Sequence, residues 1–254
     1  MNKKLKTGIV FAGFILLWQI LTMTGIWNTY ILPTPLHVLF VAKEMFLDGS
    51  LFVDLLISVK RVCIGFSISF LLASFFAMVF HLFPQLNDYF NGAIQFMKNV
   101  PPLSLVPLLI LWLGIGEVTK IAMIVLASFF PLFLNIQKGF MIVDSQLLEV
   151  GEVFGYSKSQ RFFKITVPSA LKDIFIGIRV ALGYSWRSII AAEMIAASSG
   201  LGYMINFARQ MSRTDRVIVG IFVIGMVGWF TDYLFVKIAT RCLKGDLRNE
   251  WYNS

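Results

Sequence analysis

The chain has 254 residues, 57% of them hydrophobic and only 14% charged, with a mean hydropathy of +0.77. A soluble domain carries roughly 25% charged residues, so this composition excludes a disordered chain, a DNA-binding domain and nearly every soluble enzyme. It calls for lipid, and the net charge of +8 is therefore first a topology signal rather than a mark of nucleic-acid binding.

Six apolar runs, approximately residues 7–24, 62–83, 101–115, 120–136, 174–197 and 217–236, predict an all-α polytopic membrane protein with about six spans in a single domain over residues 1–254. The first run follows the basic stretch MNKKLK and could be a signal peptide. It is long, however, and Thr22–Trp27 offers no small-residue cleavage site, so a retained span is expected. The third run is too short for the ~20 residues that a crossing needs. It must recruit neighbours or enter as a broken segment, for which Pro101-Pro102 supplies a start. Pro107 and Pro131 fall inside or near the ends of the third and fourth runs, where neighbouring protein can satisfy the freed backbone.

Orientation follows from lysine and arginine. With the N-terminus cytoplasmic, thirteen of the 22 basic residues fall on inner segments, Lys244 and Arg248 among them. Seven fall on outer ones (Lys43, Lys60, Arg61, Lys120, Arg209, Arg213, Arg216), and two lie within the fifth run. That asymmetry predicts both termini in the cytoplasm of a plasma (inner) membrane. Cys63 and Cys242 have no partner at metal-ligand spacing and are expected to be buried small hydrophobes. No nucleotide-binding, zinc-hydrolase or serine-hydrolase motif is present.

The most informative stretch is the longest inner loop, residues 137–172. Its apolar spacing predicts one helix over Asp144–Phe154, a break at Gly155-Tyr156-Ser157, and a second helix over Lys158–Ile165 ending before Pro168 and capped by Ser157. The first arm is acidic and the second basic. From composition alone, two readings stay open: a docking hairpin for a partner protein, or a linker helix lying on anionic headgroups.

Residues Glu149-Val150-Gly151, then three residues, Gly155, then nine residues and Ile165-Thr166-Val167-Pro168 resemble the EAA coupling loop of ABC importer permeases. Val150, Gly151 and Val167 depart from that signature, which has two alanines and a leucine there. Asn99–Pro107, Leu113–Lys120, Pro131–Gly139, Ala191–Tyr203 and Leu32-Pro33-Thr34-Pro35 are similar to the sulfonate, taurine and nitrate type within that superfamily. The resemblance implies a MetI-like permease fold and a pore subunit, not an enzyme. It further implies a homodimer, two copies of a separate ATP-binding subunit, and an extracytoplasmic substrate-binding protein. This chain would then bind no cofactor, with ATP and magnesium on the partner subunit. Within the loop, Gly155 permits the tight turn, Glu149, Glu152, Lys158 and Arg161 supply a polar rim, Tyr156 is a candidate aromatic anchor, and Ile165 and Pro168 complete the signature.

Charges at membrane depth are costly and normally face a cavity or a partner. In the fifth run Arg179 and Glu193 share a helix face, about 21 Å apart along the axis, and cannot touch. Arg179 is expected to snorkel to cytoplasmic headgroups. For Arg187 two readings stay open, contact with an anionic substrate or a structural pair, and Glu193 is expected to be structural or gating. Asp232 reads as a helix-end polar group, residues 28–60 as an outer amphipathic segment packing on a dimer partner, and residues 198–202 as a flexible connection. Within the same class, import of a small heterocycle or vitamin precursor is an alternative. An ion-coupled secondary transporter has against it the lack of an internal repeat, and an intramembrane enzyme the lack of a catalytic constellation.

Overall fold

The computed structural model describes residues 3–243; Lys244 and Arg248 of the charge count lie outside them. Every regular element in the described residues is helical. The chain divides into two units. One holds the described residues up to Ser58 together with Glu193–Val227, the other Val59–Ala192 and the described residues from Gly228.

In the first unit, α1 (Lys3–Met23) is followed by α2 (Pro35–Leu47). Thr34 caps α2 by accepting from the His37 amide at 3.3 Å, with Pro35 at the first helical position. Trp18 of α1 donates its indole N–H to the Pro33 carbonyl at 3.1 Å and stacks on Phe222. The predicted 28–60 segment is not one element: α2 stops at Asp48-Gly49 and α3 (Ser50–Leu82) begins at once. Its apolar face is also not reserved for a second copy, because Val38, Val41 and Met45 are buried within the chain.

In the second unit, α3 continues into α4 (Gln85–Met97), a single 3₁₀ turn at Pro102–Leu105, α5 (Val106–Leu113) and α6 (Glu117–Met141). α4 and the following helical stretch meet at a bend of 83°, so the short third run enters as a broken segment. Pro107 sits in the first turn of α5, and α6 runs uninterrupted through Pro131. After the loop comes α9 (Val167–Ala196), which passes into the first unit at Glu193; α10 (Leu201–Gln210) belongs to that unit, and α11 (Thr214–Cys242) returns to the second from Gly228. Small residues let these helices close up. A Cβ on Gly65 would stand 2.7 Å from Ile124 Cβ, and one on Gly177 2.8 Å from Asn135 Cβ. Ala73, Ala77, Ala170 and Ala181 pack with Leu132, Phe133 and Ile136 in the main core.

By length and composition α3, α6 and α11 each suffice to cross a membrane, and the bent pair does so jointly. The remaining two runs map onto α1 and onto α9, whose 30 residues reach about 45 Å but carry Lys172, Asp173, Arg179, Arg187 and Glu193. The helices run on beyond the predicted apolar runs: α3 starts twelve residues before Val62, and α9 starts at Val167 rather than Ile174. Polar residues in those extra turns hid the helix from an apolar-run count. Phe11, Phe14, Leu71, Leu111, Trp229 and Phe230 are all more than half exposed, a large apolar exterior that only lipid or further subunits can cover. Cys63 and Cys242 are likewise exposed rather than buried.

Candidate functional site

The loop folds as a helical hairpin. Asp144 caps α7 (Ser145–Val153) by accepting from the Gln146 amide at 2.9 Å. Gly155 then turns the chain with φ of +75°, in open space with nothing within 4 Å of a would-be Cβ. Glycine is needed there for its backbone, not for room. Ser157 and Gln160 form a reciprocal capping box that starts α8 (Lys158–Arg161). The expected stop before Pro168 does not occur. α8 passes through one π-helical turn, Phe162–Thr166, directly into α9; in that widened turn the Val167 amide donates to the Phe162 carbonyl, and the helix continues through Pro168. The second arm of the hairpin is thus the start of the fifth long helix.

The charges of the two arms meet each other. Arg161 donates to Glu152 at 2.7 Å, and the Lys164 ammonium stands 4.7 Å from the centre of the Tyr156 ring. Glu149 and Lys158 remain exposed, while Ile165 packs inside on Gly151. The most exposed apolar side chains of the tip are Val153, 87% exposed, and Phe154, 75%. Both directly precede the turn glycine, Gly155, where the chain leaves the helix.

A second feature is a cavity of about 900 Å³ in the second unit. Its walls follow helical spacing: Val59, Val62, Cys63 and Phe66 from α3; Lys172, Ile176, Arg179, Gly183 and Arg187 from α9; Gly228, Thr231, Asp232 and Phe235 from α11. α3 and α11 each contribute a helical stripe, while α9 contributes a broader face that also includes Val180, Leu182, Tyr184 and Trp186. Arg179 does not snorkel. Its Nε and Nη2 donate to the two carboxylate oxygens of Asp232 at 2.6 and 2.9 Å. Asp232 is accordingly no helix-end group but lies mid-helix, ten residues before α11 ends. Arg187 is exposed on the same wall, 5.9 Å from the centre of the Tyr184 ring. Nearby in this unit, Arg61 (4% exposed) and Lys120 (3%) converge on Glu117 at 2.7 and 2.6 Å.

Glu193 belongs to a knot in the first unit. It is 1% exposed and accepts from the Ser58 hydroxyl at 2.8 and 2.9 Å and from the Gly202 amide at 2.9 Å. The Ser58 hydroxyl oxygen accepts from the Leu201 amide, and Asp54 accepts from the Gly200 amide. The α9–α10 connection is therefore pinned at three successive amides, not flexible as its glycines suggested.

A helical, lipid-facing chain with a self-braced hairpin and a cation-lined cavity is built as a transport permease. Residues 69–243 match the family described as "Binding-protein-dependent transport system inner membrane component", and the chain belongs to that family. It is 37% identical to the SsuC protein of Bacillus subtilis (strain 168), named for aliphatic sulfonates transport, over 96% of this chain and 86% of that one. It is 31% identical to the taurine transport system permease protein TauC of Escherichia coli (strain K12), over 85% and 80% respectively. Its fold matches a crystal structure of an amino acid ABC transporter with a TM-score of 0.61, covering 79% of this chain and 97% of that one at 15% identity.

Proposed function

We propose that this permease is the pore subunit of an ATP-driven importer of small organic anions, sulfonates such as taurine foremost. It works as a homodimer with two copies of an ATP-binding subunit and an extracytoplasmic binding protein. ATP and magnesium reside on the ATP-binding subunit. The observation that carries this reading is the hairpin: Glu149, Gly155, Ile165 and Pro168 stand at their signature positions on one braced unit that is continuous with α9.

The mechanics follow from that continuity. Val153, Phe154 and Tyr156 seat the tip in a cleft of the ATP-binding subunit, and Glu149 and Lys158 form its polar rim. When the ATP-binding subunits close, each hairpin is carried with them. The Glu152–Arg161 pair keeps its arms from splaying, so the displacement passes into α9 and tilts the cavity wall, giving alternating access. The anion enters a wall bearing Lys172, Arg179 and Arg187 against Asp232 alone, with Arg187 nearest the outer end and Glu193 holding the outer connection. Both termini are cytoplasmic. Burial of Arg61 and Lys120 supports that orientation, because without these two the outer basic residues number five against thirteen.

The test is reconstitution of the chain with its ATP-binding subunit and binding protein in liposomes. ATP-dependent uptake of labelled taurine or ethanesulfonate is expected. Uptake by the chain alone down an ion gradient would overturn the ATP-driven reading, and uptake of an uncharged heterocycle in place of sulfonate would overturn the anion.

A further inference from the structure

We propose that Arg179 is the residue of the cavity that reads the anionic head of the substrate, and that the Asp232 carboxylate holds its place between transport cycles. The inference rests on the anion reading above. Lys172, Arg179 and Arg187 follow one another on α9 at seven and eight residues, hence about 10–12 Å apart along one wall. Arg179 is the middle cation of that line.

Its geometry is what sets it apart. The Nε and Nη2 atoms of Arg179 grip both oxygens of Asp232 in a planar fork, and two oxygens of a sulfonate present the same spacing to a guanidinium. The pair is not entombed: the side chains are 27% and 46% exposed, so an arriving anion can reach the fork without unpacking the helices.

A purely structural ion pair and an anion reader with a placeholder differ in symmetry. If the pair only braces α9 against α11, R179K and D232N weaken the same two hydrogen bonds and both impair transport, whereas here only the arginine touches the substrate. In the reconstituted complex, R179K keeps the charge but loses the fork. It is expected to carry about tenfold less ethanesulfonate per ATP hydrolysed, with ATP hydrolysis within twofold of wild type. D232N, which leaves the guanidinium free for the sulfonate, is expected to keep at least half of wild-type transport. The exchanged pair R179D/D232R is expected to regain the thermal stability of wild type without regaining transport. Equal loss in R179K and D232N, or wild-type transport in R179K or in the exchanged pair, would overturn the inference while leaving the anion reading standing. A wild-type complex that carries no sulfonate would overturn both.

Discussion

The side chain of Ile165 fills the space that a side chain at position 151 would need. A Cβ on Gly151 would stand 2.5 Å from the Ile165 Cδ1 atom. The two residues sit on opposite arms of the hairpin, so their contact closes it. The coupling-loop signature pairs an alanine at position 151 with the same isoleucine, so this contact does not explain the glycine found here.

From that contact, Gly151→Leu is expected to force the arms apart at about 1–3 kcal/mol and to reduce substrate-stimulated ATP hydrolysis at least tenfold. Gly151→Ala is milder, because Cδ1 is the free end of a side chain that can turn away. Combining it with Ile165→Val, which removes that atom, should restore wild-type hydrolysis. A double variant no better than Gly151→Ala would show that the two positions do not compete for space.

At Gly155 the constraint is chirality. With φ of +75° and open space around it, any L-residue pays for the backbone alone, about 1–2 kcal/mol for Ala. Asn visits that region more readily. Coupled hydrolysis should therefore rank Gly above Asn above Ala, with the larger Asn better tolerated than the smaller Ala. A ranking by side-chain size would refute this account.

Glu117 gathers two cations that are almost completely buried. Removing its charge leaves them facing one another. Losing one partner of a buried pair costs about 3–5 kcal/mol, here discounted because the Glu117 side chain is itself 58% exposed. Glu117→Gln should lower the thermal unfolding temperature in detergent more than Lys120→Met, which removes a cation together with its desolvation. The reverse order would count against the triad.

Much of this arrangement was legible in the sequence, for identifiable reasons. Apolar runs report burial in lipid, so the long helices were found, but their ends were not: the polar turns of α3 around Asp54 and of α9 around Lys172 lie beyond the apolar stretch while the helix continues. The hairpin was found because caps and turn glycines act locally, through Asp144, Gly155 and Ser157. Partners distant in sequence were not. Arg179 and Asp232 are 53 residues apart, and nothing in either neighbourhood says which helix faces which. Arg179 therefore read as a snorkelling residue and Asp232 as a helix end until both were placed on one cavity wall. Glu193 was singled out by its depth, yet its partners, Ser58 and the amides after Gly200, come from segments that looked unrelated.

The last prediction concerns that knot. Gly200 has φ of +107°, and a Cβ on it would overlap the Glu193 carboxylate itself. Gly200→Ala must therefore displace either the connection or the acid. The Ser58 hydroxyl and the Gly202 amide would lose an acceptor in a buried site, at about 1–3 kcal/mol for each group left unsatisfied. Glu193→Ala should act alike, while Glu193→Gln retains one carbonyl oxygen and should be intermediate. All three leave the hairpin untouched, so nucleotide-driven closure should proceed while uptake falls with the α9–α10 connection loosened. Thermal unfolding and uptake measured on the same preparations check this. If Gly200→Ala unfolds at the wild-type temperature and transports normally, the carboxylate does not hold the connection.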